Sequence, residues 1–444
     1  MTKYLEKIVE YGFYLFIFLL PWQTRWIWHE GFLRREYWEY GSFSLYGTDI
    51  LFLVIFLTSL FLYRGRAKKL DNFWVLILGF LLICFSSIFW SLNKEISWYF
   101  FIKLIEAVLL LWFVLRIHFD WLKLGISWVA AGVVQSIFGI YQFFSQNILS
   151  NKWLGLAAHQ PDVLGDLVVE TAGGRFLRAY GAFPHPNMLA GFLVVALLII
   201  FGFLFWFYNN RKHHILGIIL SVASVAIICF GLILTFSRSA WLTFVLTFLM
   251  LIAVSIWPKN KYRLRILSHI TVWIILLVAF SIFLVPEIWQ TRLVASGRLE
   301  VKSTQERVEY YKQSIDLIKN HWYQGVGIGS FTQATYDQDS SKEVWDYQPV
   351  HNIYLLVITE AGVFGGLIFL LIVIEFFRRI FGRYLRGFQK HDLFLVYSLA
   401  FISLLIIGLF DHYLWSLSFG LLFFWLVLGL WFKVHRQISV DNSK

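Results

Sequence analysis

Apolar stretches of about 20 residues recur from one end of this chain to the other, each long enough to cross ~30 Å of hydrocarbon as a helix. A backbone in lipid cannot leave its N–H and C=O groups unpaired, so spanning segments are helices or closed barrels. Barrel strands read as roughly ten-residue segments of alternating polarity, and the sequence shows none. The chain therefore reads as an all-α integral membrane protein. Composition agrees, with 59% of the 444 residues hydrophobic and only 15% charged, against about 25% charged in soluble domains. The 20% aromatic content suits interfacial aromatic belts.

The runs place about twelve transmembrane helices, near 8–28, 46–63, 72–92, 97–116, 121–145, 187–208, 213–236, 238–257, 264–285, 351–377, 391–410 and 413–432. Basic clusters at 64–69, 211–212, 259–265 and 378–390 fall in alternate short loops. By the positive-inside rule these loops and both termini are cytoplasmic. The net charge of +11 is thus topological and does not point to nucleic acid. The outer loops are unequal: a medium one covers 146–186 and the largest covers 286–350, expected to hold short helices. This divides the chain into 1–285 with helices one to nine, the loop 286–350, and 351–444 with helices ten to twelve and a cytoplasmic tail. Cys84 and Cys229 lie mid-span and suggest no disulfide. The basic, apolar N-terminus lacks a small-x-small cleavage site and reads as a retained first span.

In the large loop, Ser303-Thr304-Gln305-Glu306 fits a capping box, followed by an apolar stripe of Val308, Tyr311, Ile315, Ile318 and Trp322. The glycine-rich run from Gly325 to Gly329 follows no strand, so it does not read as a dinucleotide loop. Several ionisable residues fall at outer ends of spans. Arg238, at a helix start, opposes the helix dipole unless an anion is near; it either snorkels to headgroups or binds an anion. Arg307 lies in the first turn of the loop helix and Arg178 lies just before span six. His185 belongs to a Pro-His-Pro-Asn helix start with Asn187 as cap. His351 precedes span ten, where a helix N-terminus keeps imidazole neutral and able to take a proton; it could also merely bond loop backbone. Glu360 is an intramembrane carboxylate, a functional candidate by default. Lys103 and Glu106 most simply pair with each other, and Asp411-His412 could orient a neighbour. HExxH, Walker A and serine-elbow motifs are absent, as are metal-ligand clusters, so neither metal nor cofactor is expected.

Three ordered segments carry a family resemblance: Leu234-Thr-Phe-Ser-Arg238-Ser-Ala-Trp-Leu242; Glu306-Arg307 followed by Gly325-Val-Gly-Ile-Gly-Ser-Phe331; and His351-Asn-Ile-Tyr-Leu355 with Glu360-Ala-Gly362 and Gly365. In order and spacing the chain resembles the O-antigen ligase and polymerase family of membrane glycosyltransferases. Ser239 stands where that family often has glycine. The resemblance implies metal-independent, inverting transfer from a polyprenyl-pyrophosphate-linked glycan to an acceptor hydroxyl on a lipid or glycan, at the outer face of a bacterial cytoplasmic membrane. It implies that Arg238 and Arg307 hold the pyrophosphate and His351 activates the acceptor, with Arg178, His185 and Glu360 in support. A ligase, a polymerase and a protein O-glycosylating enzyme all fit. A flippase for lipid-linked sugars is the main reading outside the family, and a non-enzymatic scaffold a third. Membrane lipids are the remaining partners expected.

Overall fold

The computed structural model describes residues 2–63, 71–209, 215–256, 260–294, 297–385 and 391–441. The basic clusters at 64–69 and 211–212, and parts of the other two, lie outside the described residues. Nine helices precede the large loop: α1 (Thr2–Leu19), α2 (Gly47–Leu62), α3 (Asn72–Ser87), α4 (Lys94–Arg116), α5 (Trp121–Ser145), α6 (Pro186–Asn209), α7 (Ile215–Leu234), α8 (Arg238–Ile256) and α9 (Lys261–Leu284). The loop holds α10 (Pro286–Val294), α11 (Arg298–Asn320) and α12 (Phe331–Gln338). Then come α13 (Ile353–Tyr384), α14 (Asp392–Ile407), the one-turn α15 (Tyr413–Ser416) and α16 (Ser418–Asp441). Among the described residues nine helices are long and apolar enough to cross a bilayer, while α2 and α14 are apolar but shorter.

The bundle is built around α6 and α16. Their apolar windows are 94% and 89% buried, against 17% for the peripheral α9. The sequence explains the ranking for α6, which is apolar on every side and so belongs in an interior. It packs on α5, α7 and α14, while α16 packs on α4 and α14.

The first helix ends well before the expected residue 28, at Leu19. Beyond Pro21 the chain becomes β1 (Arg25–His29), paired antiparallel with β4 (Phe43–Tyr46). Trp26 and Trp28 point outward and alternate with half-buried Arg25 and Ile27, the two-residue period of a strand. Two more hairpins hold the other strands: β2 (Phe32–Leu33) with β3 (Glu36–Tyr37), and β5 (Val168–Thr171) with β6 (Gly174–Leu177).

The capping box does not start the loop helix. α11 begins earlier, with Gly297 as N-cap, because Glu300 in its first turn is held by Arg292 of α10. Ser303 and Arg307 therefore lie inside the helix, not in its first turn. Its buried face is Tyr310, Ser314 and Leu317, whereas Val308, Ile315 and Trp322 are exposed. Polar docking sets this rotation: the Ser314 and Thr359 hydroxyls are 2.7 Å apart, and Tyr310 donates to the Asp346 carbonyl at 2.9 Å.

The glycine-rich run docks the loop onto α13. Gly362 breaks that helix with φ 72°, and a Cβ there would meet the Tyr323 carbonyl oxygen at 2.3 Å. Facing it, Gly325 also has φ 72°, and a Cβ would meet the Glu360 carbonyl oxygen at 2.2 Å. Only glycine fits both the left-handed conformation and the contact. The amides of Val326, Gly327 and Val363 donate to the carbonyls of Thr359, Glu360 and Trp322 at 2.9, 3.0 and 2.8 Å, closing the seam.

Lys103 also departs from expectation. Its primary partner is Asp49 of α2, with Glu106 further off at 3.6 Å.

Candidate functional site

Four arginines from four parts of the chain meet at the large-loop end of the bundle. Arg178 follows β6, Arg238 is the first residue of α8, Arg292 lies on α10 and Arg307 on α11. Glu300 pairs with two of them, lying 2.8 Å from Arg238 Nη2 and also bonded to Arg292. Arg292 Nη2 donates to the Phe236 carbonyl at 2.6 Å. Arg178 Nε donates to the Thr235 carbonyl at 2.6 Å, and its Nη2 to Asn187 Oδ1 at 2.8 Å. These two arginines pin the α7–α8 turn, where Phe236 adopts a left-handed φ of 47°, and so fix the place from which Arg238 extends. Trp289 of α10 stacks on Trp241 of α8 with ring centroids 4.9 Å apart, which seats Arg292.

Charge in this cluster is unbalanced. Among the described residues neither Arg178 nor Arg307 forms an ion pair. Burial first, then the charges of Arg292 and Arg307, push the Arg178 pKa well below the usual arginine range. Burial likewise lowers that of Arg292, with Arg238 and Arg307 adding to the effect against Glu300. A guanidinium stays protonated in a protein, so these pressures express a site short of negative charge. An anion with several oxygens would relieve them through paired N–H···O bonds.

Beside the arginines stands a polar chain. Asn187 Nδ2 donates to Asp411 Oδ2 at 2.8 Å, and the His412 amide donates to Asp411 Oδ1 at 2.8 Å. The His412 ring meets the His351 ring edge-on, centroids 4.9 Å apart. On its other face His351 stacks on Tyr310, centroids 5.9 Å apart and planes 10° from parallel. His351 Nδ1 is buried and has no hydrogen-bond partner among the described residues. Burial pushes the His351 pKa down to about 3; His412 and Arg307 act in the same direction and Asp411 against them. The ring is thus neutral at physiological pH. Burial opposes charge on Asp411, yet His412, His351 and His185 with the Asn187 amide hold its carboxyl below the usual range.

The structure thus brings Arg238, Arg307, Arg178, His185 and His351 to one place and leaves Glu360 out of it. Arg307 lies within electrostatic reach of Arg178, Arg292, His185, His351 and His412. His185, not Asn187, caps α6. Its carbonyl accepts from Met188 and its Nδ1 from the Asn187 amide at 2.9 Å. That frees the Asn187 side chain to bridge Arg178 and Asp411. Burial first, then Arg178, His412 and Arg307, push the His185 pKa down to about 3 against Asp411, so it remains the neutral acceptor that a cap requires.

Glu360 is a brace. Its carboxylate accepts from the amides of Gly329 at 2.8 Å and Phe331 at 3.3 Å, and from Trp415 Nε1 at 2.8 Å. It therefore ties the glycine run and the start of α12 to α15. In Glu360→Gln an amide N–H would replace one acceptor and face other N–H groups. That change is expected to cost about 1–3 kcal/mol of stability, read as a lower melting temperature in detergent with donor binding retained.

Sequence reading did not mark Arg292, Glu300, Tyr310 or Asn187 as site residues, and gave Asp411 and His412 no defined role. Among the described residues no three His, Cys, Asp or Glu side chains are arranged to hold a metal ion.

Residues 223–370 match a family model described as O-antigen ligase, which bears out the resemblance carried by the three segments. The match takes in Arg238, Arg292, Glu300, Arg307, His351 and Glu360; Arg178, His185, Asp411 and His412 lie outside it. No curated protein matches the chain significantly.

Proposed function

Starting from the O-antigen ligase match over residues 223–370, we propose that the chain transfers a glycan from a polyprenyl-pyrophosphate carrier to an acceptor hydroxyl, at the outer face of a bacterial cytoplasmic membrane. The observation that carries this reading is the gathering of Arg178, Arg238, Arg292 and Arg307, of which, among the described residues, only Arg238 and Arg292 are ion-paired, both with Glu300, next to a neutral imidazole. The polyprenyl tail lies between spans and its pyrophosphate sits among the arginines. Arg238 and Arg307 contact the phosphates; Arg178 and Arg292 shape the turn beneath and add to the field.

In the transfer step the acceptor oxygen attacks the anomeric carbon. The bond from that carbon to the pyrophosphate oxygen breaks and its electron pair leaves with the pyrophosphate. His351 takes the hydroxyl proton as attack proceeds. One displacement inverts the anomeric configuration. Guanidinium groups in a site of low dielectric stabilise the charge growing on the leaving group. Asp411 stabilises the imidazolium that forms, through its charge and its hold on His412. Ligase, polymerase and protein O-glycosylation share this step and differ only in which hydroxyl is offered.

The test is transfer in vitro by the purified chain, given a polyprenyl-pyrophosphate glycan and separate candidate acceptors. Transfer to one acceptor class with inversion at the anomeric carbon is expected, at a rate unchanged by chelator. Loss of transfer on chelation, or a retained configuration, contradicts the mechanism.

A further inference from the structure

We propose that the cleft between the β1–β4 hairpin, α4, α12 and the start of α16 seats one neutral sugar residue of the acceptor, an assignment that rests on the glycan-transfer reading. The cleft borders the histidine pair. Ser416 lines it and its hydroxyl is 2.6 Å from His412 Nδ1. Tyr40 also lines it, donates to Gln348 Oε1 at 2.6 Å and has its ring 6.2 Å from that of His412. Pro349, two residues before His351, forms part of the wall.

Two features of the lining select a sugar. The rings of Tyr40, Tyr46, Tyr99 and Phe100 contribute to it, and aromatic surfaces with polar tips suit a ligand that alternates C–H and O–H groups. The hydroxyls of Ser44 and Thr332, residues only 2% and 1% exposed, have no hydrogen-bond partner among the described residues. Buried hydroxyls are ordinarily paired, and a polyol offers both donors and acceptors to pair them.

Charge selects a neutral sugar. Arg25 in the lining is paired with Glu39, with Nη2 2.9 Å from Oε2, Lys103 is paired with Asp49, and Glu360, also in the lining, accepts from the Gly329 and Phe331 amides and from Trp415 Nε1. Unlike the arginine cluster, the cleft has no surplus cation to attract an anion. Position selects the acceptor. Inverting displacement needs the attacking oxygen and the leaving pyrophosphate on opposite faces of the anomeric carbon. The arginines reach His412 through Asn187 and Asp411, whereas the cleft reaches it through Ser416 and Tyr40.

The experiment compares the full-length wild type with a Ser44→Ala/Thr332→Val double variant in nanodiscs. Both substitutions delete an unpartnered hydroxyl, so the melting temperature is expected to stay unchanged. With donor saturating, KM for the acceptor used by the wild type is expected to rise about tenfold, as for the loss of two modest hydrogen bonds, with kcat and donor KM within about twofold. Saturation-transfer NMR on neutral methyl glycosides (gluco, galacto, manno, N-acetylgluco and rhamno) is expected to show binding to the wild type and to Arg307→Ala, weakened in the double variant. Methyl glucuronoside is expected to bind less. An unchanged acceptor KM, a raised donor KM instead, binding of the uronoside alone, or binding of no glycoside overturns the assignment. Glycoside binding by a wild type that transfers nothing would instead leave the cleft standing and remove the transfer reading.

Discussion

Arg307→Ala is expected to lower kcat/KM for glycan transfer by about 10²–10³-fold, the loss typical when one preorganised charge-stabilising group is removed. Expression, membrane insertion and melting temperature should hold. Arg307 is half-buried and, among the described residues, forms no ion pair, so its removal breaks no structural tie. It is nonetheless the arginine that reaches both the cation cluster and the histidine pair. Arg307→Lys should recover only part of the activity, because an ammonium lacks the two-pronged geometry of a guanidinium. Arg178→Ala supplies the contrast. Arg178 holds the Thr235 carbonyl and Asn187, so that variant should lose stability together with activity.

His351→Ala is expected to cut kcat by about 10²–10⁴-fold, the range for loss of a general base, with donor affinity retained. His412 cannot substitute, since Ser416 holds its ring and Asp411 its backbone. The pH profile carries a second signature. In the free protein burial holds the His351 pKa well below the ordinary imidazole value, so it is neutral across physiological pH and the acid limb of kcat/KM for donor should lie below pH 6.5. Bound pyrophosphate brings negative charge close to the ring, favours imidazolium and raises this pKa. The acid limb of kcat, which reports the bound complex, is therefore expected at higher pH than that of kcat/KM. Coincident limbs near pH 6.5 would mean that His351 does not carry the proton.

The apolar helices were legible because length and apolarity act locally: an all-apolar stretch such as 187–208 can only be interior or lipid-facing helix. Their number was not, since nine described helices are long and apolar enough to cross a bilayer where twelve spans were expected. Members of the candidate site were legible where single residues stood against their local setting, as an arginine at a helix start or a histidine before a span. Its other half depends on tertiary folding. Arg292 and Glu300 carry no motif, and they meet only because α10 and α11 pack against each other in the folded chain. Asn187 looked like a cap because of its type, and His185 took that role instead. A faint signal for Asp411 and His412 was present, two ionisable residues in a very short connection between apolar helices. The rotation of α11 was misread because apolar periodicity alone cannot anticipate that Ser314 and Tyr310 will choose the docking face.

In this mechanism the arginine cluster is a pyrophosphate site. The most direct test is the affinity of the reconstituted protein for a polyprenyl pyrophosphate and for the matching monophosphate, in the wild type and in Arg307→Ala. The wild type should favour the pyrophosphate strongly, and the variant should lose most of that preference while binding the monophosphate much as before. Equal affinity of the wild type for the two lipids, or a preference untouched by Arg307→Ala, would contradict the account.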